Sequence, residues 1–128
     1  MGDFRDLIVY KKAFKLSMDI FEMTKSFPKD EIYSLVSQIR RSSRAVCSNL
    51  GEAYAKRRYV YHFISKVSDA DMENIETLVW IDYSLACKYI SEIKYKELIN
   101  ENGQIGKLIN HMLREPVKYG CHETIKAN

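Results

Sequence analysis

Seven cations fall between Arg40 and Lys66, and they are the strongest concentration of chemistry-bearing side chains in the chain. Arg40, Arg41, Arg44, Lys56, Arg57, Arg58 and Lys66 face Glu52 alone within that stretch. Tyr54, Tyr59 and Tyr61 are interleaved with the second half of them. Cations beside aromatic rings suit contacts to phosphate, with bases stacking on the rings. The competing reading is a solvated helix face whose arginines form salt bridges to a neighbour, and the residue pattern does not separate the two. No base-reading motif accompanies the cations, so nucleic-acid binding through them would be led by the backbone and sensitive to salt.

Other chemistries are poorly supported. A di-metal site in a helical bundle needs Glu-x-x-His pairs facing one core position, and no such pair occurs. His62, His111 and His122 stand apart and read as surface or internally satisfied histidines. There is no Gly-x-Ser-x-Gly elbow, no phosphate-cradling loop and no dinucleotide fingerprint. Cys47 falls at the edge of an apolar seam and reads as a small buried thiol. The acids Asp69, Asp71, Glu73 and Glu76 read as a solvated face. We therefore expect no enzyme activity, no cofactor and no metal.

The 128 residues suit one domain with a core that needs neither disulfide nor metal. Five Gly and two Pro are few, which favours helices over an all-β fold. Cys47, Cys87 and Cys121 form no metal or disulfide spacing and fit a reducing cytoplasm. The opening from Met1 to Phe14 carries early acids and lacks an apolar run of signal-peptide length. No apolar stretch approaches the ~18 residues of a membrane-spanning helix. The net charge of +3 is unevenly spread. Residues 1–66 hold 13 Lys or Arg against 7 acids, while residues 67–128 hold 7 against 10.

The elements that must position the cations follow from apolar periodicity. Leu7, Tyr10, Phe14, Ser17 and Phe21 predict a first helix from Asp6, its N-cap, to Ser26, ended by Pro28. A second helix begins near Asp30 with a thin seam of Leu35, Ile39, Ser42, Val46, Asn49 and Ala53. Its opposite face, Ser37, Arg40, Arg44, Ser48, Gly51 and Ala55, is small apart from the arginines. A third, from Tyr59 to Lys88, carries the seam Phe63, Val67, Ala70, Asn74, Leu78, Ile81 and Leu85. Beside it runs a second strip, Ile64, Met72, Ile75, Val79, Tyr83 and Ala86, more than a monomeric bundle helix needs. Ser91 caps a fourth helix, Glu92 to Glu115, which Gly103 and Gly106 weaken. These spacings and short connections predict an all-α, antiparallel up-down-up-down four-helix bundle over 1–115, with a loose C-terminal tail over 116–128. Asn49 and Asn74 fall on apolar seams, where they either bond each other or fix helix register.

Particular phrases resemble a known family. They are Asp6-Leu7-Ile8-Val9-Tyr10-Lys11-Lys12-Ala13, Phe27-Pro28-Lys29 with Glu31 and Tyr33, and Ser37-Gln38-Ile39-Arg40-Arg41-Ser42-Ser43-Arg44-Ala45-Val46. Ser48-Asn49-Leu50-Gly51-Glu52-Ala53-Tyr54, Glu73 with Glu76 and Thr77, and Tyr89-Ile90-Ser91 complete the set. Over about residues 6–115 the chain resembles the bacterial four-helix-bundle proteins encoded in intervening sequences of 23S ribosomal RNA genes, also labelled S23 ribosomal protein. The resemblance implies a bundle that assembles into a ring, typically a homopentamer. It also implies kinship with the accessory protein of diversity-generating retroelements, a basic pentamer that binds nucleic acid and a reverse transcriptase. The family's Ala-Glu-Gly is Gly51-Glu52-Ala53 here, and the third helix is more acidic. Together these readings predict a cytoplasmic homo-oligomer, with Arg40, Arg41, Arg44, Lys56, Arg57 and Arg58 contacting RNA or DNA. The alternative is a scaffold or protein-interaction module whose arginines pair across subunits.

Overall fold

A computed structural model describes residues 2–122. Four helices make the fold: α1 (Ile8–Thr24), α2 (Ser37–Ala55), α3 (Val60–Ala86) and α4 (Glu92–Arg114). Short connections join α2 to α3 and α3 to α4, which makes consecutive helices antiparallel. α1 packs on α2 and α4, and α3 packs on the same two, so the main contacts run around a square. The expected bundle is the observed one. α4 is continuous through Gly103 and Gly106, because burial of Leu98, Ile105, Ile109 and Met112 outweighs the weak helix propensity of glycine.

Each helix contributes one buried stripe. Leu16 and Ile20 from α1, Ile39 and Leu50 from α2, Phe63 and Ile81 from α3 and Ile105 and Ile109 from α4 are almost wholly inaccessible. Each such side chain is worth about 1.5–3 kcal/mol relative to leaving it in water. The thin seam of α2 is completed by polar atoms. Ser42 Oγ meets Thr77 Oγ1 of α3 at 2.8 Å, both fully buried. Asn74 does not bond Asn49, which is only half-buried. Its partner is Asn102 of α4. Asn74 Nδ2 donates to the Asn102 carbonyl at 3.1 Å, and Asn102 Nδ2 donates to the Asn74 carbonyl at 2.9 Å and to its Oδ1 at 3.1 Å. This reciprocal bridge pins α3 to α4 at one register. The indole N–H of Trp80 is buried without a partner among the described residues.

The helix ends differ from the expected caps in two places. Asp6 closes a 3-10 turn, Phe4–Asp6, that Asp3 caps, and α1 starts after Leu7, whose backbone is extended. Asp30 lies inside a second 3-10 turn, and Glu31 is the capping side chain. Its carboxylate accepts from the Leu35 N–H at 3.5 Å, from Ser34 Oγ at 2.5 Å and from the Tyr89 hydroxyl at 2.8 Å. The wide π turn Ile32–Val36 then leads into α2. The Tyr89 bond, with the Phe27 and Tyr89 rings 5.1 Å apart, ties this entry to the α3–α4 connection. Ser91 caps α4 as expected, accepting from the Lys94 N–H at 3.0 Å. The tail is not loose throughout. Pro116–Tyr119 forms a 3-10 turn, Pro116 and Cys121 are buried, and the Tyr119 hydroxyl lies 2.6 Å from His111 Nδ1. The remainder of the tail, 123–128, lies outside the described residues.

Two stability predictions follow from this geometry. Asn102→Ala leaves the buried Asn74 amide without its partners and should cost about 1–3 kcal/mol in urea unfolding. Lys88 holds φ 63°, the left-handed conformation of a helix-ending residue, where the Tyr89 N–H reaches the Ser84 carbonyl at 2.9 Å. Lys88→Gly should raise stability by about 0.5–1 kcal/mol in the same assay, because glycine adopts that φ without steric cost.

Candidate nucleic-acid interface

The spacing of Arg40, Arg41 and Arg44 sends them in different directions from α2. Arg40 turns toward α1. Its Nε donates to Thr24 Oγ1 at 2.8 Å and its Nη2 to the Phe21 carbonyl at 3.3 Å, with the guanidinium 4.7 Å from the Phe21 ring centre. The last carbonyls of a helix lack partners in their own helix and carry partial negative charge. Arg40 therefore adds a donor and a positive charge at the end of α1, whose Glu22, Met23 and Thr24 carbonyls are closed by the following N–H groups. Arg41 turns the other way. It donates to both carboxylate oxygens of Glu73 at 3.1 Å and also bonds Glu76, both on α3. The Glu73 bonds stabilise its charge and push its pKa above the usual arginine value. Arg44, one turn beyond Arg40, packs at 5.5 Å from the Phe21 ring and is exposed. It forms no ion pair among the described residues.

These three arginines line a groove of about 940 Å³ that runs from the end of α1 along the outward face of α2. Lys25 and Lys29 from the α1–α2 connection line it too, and no carboxylate does. Tyr33 stands at its wall, 94% exposed. Sequence reasoning missed Lys25, Lys29 and Tyr33. They belong to the connection, and only the turn geometry between Phe27 and Val36 folds them over the face of α2. Lys25 pairs with Glu22 at 3.1 Å and Arg41 with Glu73 and Glu76, which leaves Arg40, Arg44 and Lys29 without an ion pair among the described residues. An exposed ring beside such cations suits phosphate contact with a base stacked on the ring.

The second half of the predicted set is elsewhere. Twelve residues separate Arg44 from Lys56, about 18 Å along a helix. Arg57 is half-buried, its Nε donating to the Tyr54 carbonyl at 2.8 Å and its guanidinium 3.5 Å from the Tyr54 ring centre. Gly120 covers it. A Cβ there would sit 2.6 Å from Arg57 Nη1, and φ is 104°. Arg57 thus clasps the docked C-terminal turn. Lys56 and Arg58 are exposed and make no ion pair among the described residues. Lys66 pairs with Glu52 at 2.8 Å. Tyr54 is buried, whereas Tyr59 and Tyr61 are exposed.

The chemistry of the remaining groups is quiet. Burial pushes the Cys47 thiol up to about 11, opposed in part by a hydrogen bond with Ser17. Among the described residues no three His, Cys, Asp or Glu side chains converge as a metal site would require. No helix there is long and apolar enough to cross a membrane.

A family model described as 23S rRNA-intervening sequence protein matches residues 5–111. The chain belongs to that family. A match of this extent takes in all of α1, α2 and α3 and most of α4. Among solved structures, the chain is similar to a protein of unknown function from the S23 ribosomal protein family of Bacteroides thetaiotaomicron VPI-5482, determined at 1.70 Å. The two share 24% identity over 83% of this chain and 95% of the other, with a TM-score of 0.75. At that identity the likeness speaks for the fold. No curated protein matches the chain.

The arginines separate by stability and the cysteines by reactivity. Arg40→Ala should cost about 1–2 kcal/mol in chemical denaturation, since it removes two hydrogen bonds and a ring contact. Arg44→Ala should stay within about 0.5 kcal/mol. Under native conditions a maleimide should label Cys87, the exposed thiol, well before the buried Cys47 and Cys121, as read by intact mass.

Proposed function

We propose that this member of the 23S rRNA-intervening sequence family is a non-enzymatic, homo-oligomeric bundle that binds RNA or DNA through phosphates. The observation that carries the reading is the groove lined by five cations and no carboxylate, of which Arg40, Arg44 and Lys29 form no ion pair among the described residues while Lys25 pairs with Glu22 and Arg41 with Glu73 and Glu76. Arg44, Lys25 and Lys29 are its outward contacts. Arg40 adds positive potential while holding α1, whereas the charge of Arg41 is taken up by Glu73 and Glu76, and Lys56 and Arg58 form a second contact at the far end of α2. A strand of duplex advances about 3.4 Å per phosphate, so a ligand that reaches both ends spans at least about five nucleotides. Multiple copies of the groove in one assembly would strengthen binding by avidity.

The scaffold reading is favoured by a separate observation, the apolar strip on α3. Met72, Ile75, Val79 and Tyr83 are each 43–55% exposed. For arginines pairing across subunits this reading has Arg44 and Arg58, because Arg40, Arg41 and Arg57 have partners within the chain.

Mobility-shift titrations against a structured RNA and a DNA duplex decide between the readings. Wild type should shift at about 50 mM salt, where phosphate contacts are strongest. Arg44→Ala and the Lys25→Ala, Lys29→Ala pair should weaken binding evenly across sequences and reduce the salt slope by about one per cation removed. No shift of the wild type at that salt sinks the nucleic-acid reading. Loss of the oligomer in Arg44→Ala by light scattering would support the scaffold instead.

A further inference from the structure

Two cavities of opposite chemistry share Tyr33. One is the cationic groove. The other encloses about 400 Å³ where the π turn Ile32–Val36 and the start of α2 pass the end of α3. Three rings line this second cavity. Tyr33 is 94% and Tyr83 55% exposed. Trp80 is half-buried, its ring centre 5.7 Å from that of Tyr83 and inclined to it by 40°. Gln38 adds an exposed amide that makes no hydrogen bond among the described residues. No Lys or Arg lines the cavity among the described residues. Glu31 does, and its carboxylate is engaged by Ser34, the Leu35 N–H and Tyr89.

The two surfaces select different parts of a ligand. A phosphate is drawn to the cationic groove, and the carboxylate of Glu31 disfavours it in the cavity. A flat neutral group suits the cavity, because aromatic faces stack on it and the Gln38 amide offers both a donor and an acceptor to its edge. The volume falls within the roughly 300–1,000 Å³ of clefts that hold small ligands. A nucleotide carries both parts in one unit, an anionic phosphate joined through a sugar to a neutral base. A paired base is stacked inside its duplex and cannot reach such rings, whereas an unpaired base can be splayed out and stacked on aromatic side chains.

We propose that the preferred ligand is a single strand, RNA or DNA, whose backbone lies in the cationic groove while one base turns past Tyr33 to stack beside Trp80 and Tyr83 with its edge on Gln38. The inference rests on the nucleic-acid reading above and names the form of the ligand. It also sets Tyr83 apart from Met72, Ile75 and Val79, since its ring then receives a base and not a neighbouring subunit.

Trp80 is the sole tryptophan, so its fluorescence reports on this cavity. A mixed-sequence oligonucleotide, as single-stranded RNA, as single-stranded DNA and as the DNA duplex, is titrated at about 50 mM salt by mobility shift and by Trp80 emission. A single strand should shift the protein and quench Trp80. Quenching by either strand supports the inference, and the two arms show which sugar is accepted. The duplex should shift through its phosphates without quenching. Tyr83→Ala and Tyr33→Ala should each weaken single-strand binding about five- to a hundred-fold, the range for losing one stacked base. Tyr83→Ala should leave duplex binding unchanged, and Tyr83→Phe should keep the quench. A bound single strand should also slow maleimide labelling of Cys87, which lines the cavity. Both tyrosines are exposed, so the variants should fold, as checked by far-UV circular dichroism.

A single strand that fails to shift where the duplex does, shifts with Trp80 emission unchanged, or binds either alanine variant as tightly as the wild type overturns the base pocket and leaves phosphate binding standing. Equal quenching by the duplex does the same. A fall in mass of Tyr83→Ala by light scattering assigns the ring to a subunit contact and overturns the pocket. A wild type that shifts with none of the three overturns both the inference and the reading beneath it.

Discussion

α1 ends without a glycine, and its last carbonyls sit against the neighbouring helix. The N–H groups of Lys25, Ser26 and Phe27 close the Glu22, Met23 and Thr24 carbonyls, and the last turn of α1 has no basic residue. Arg40 brings a positive charge from across the helix pair, donating to Thr24 Oγ1 and to the Phe21 carbonyl. Much of the local structure follows from that contact. In the rotation of α2 that this contact accompanies, Ile39 and Ser43 are buried and Arg41 reaches Glu73 and Glu76. The same rotation leaves Arg44 outside, one turn further on, and opens the groove beside Lys25 and Lys29. The end of one helix thus determines which cations of the next are available to a ligand.

The polar core is the second constraint. α2 has too few large apolar residues to hold two neighbours by burial alone, and its inner face carries Ser42, Ser43 and Ala53 instead. Small side chains let helices approach, at the cost of contact area. The Ser42–Thr77 and Asn74–Asn102 bonds then specify register, because sliding α3 by one turn would strand buried donors at about 1–3 kcal/mol each. A bundle with a thin α2 seam depends on such bonds for uniqueness more than for total stability.

The helices were legible in the sequence because their apolar spacing is long and regular, and the Ser91 cap was legible because its partner is local. The failures share a cause. Asp6 and Asp30 have the right side chains for caps, but both lie within 3-10 turns: Asp3 caps the first of these, α1 itself starts without a side-chain cap, and Glu31 caps the π turn that leads into α2. Asn74 was recognised as a core polar residue, while its partner Asn102 lies 28 residues away on a helix whose rotation the spacing does not fix. The cations were visible as a cluster along the chain. Their division into inward Arg40 and Arg57, acid-paired Arg41 and outward Arg44, Lys56 and Arg58 depends on partners in α1, α3 and the C-terminal turn. Local composition carries no record of those partners.

The charge asymmetry acquires a spatial meaning from the fold. The acids of the second half are concentrated on α3, with Lys66 their sole basic neighbour on that helix. The cations of the first half gather on α2 and at the end of α1. Because α3 sits diagonally across from α1, the molecule has a positive side and a negative side although its net charge is only +3. Asp71 and Asp82 face outward from α3, while Arg44, Lys25 and Lys29 line the α1–α2 side. Arg44 lies at the junction of the cationic groove and an apolar one between α1 and α2, and belongs to both.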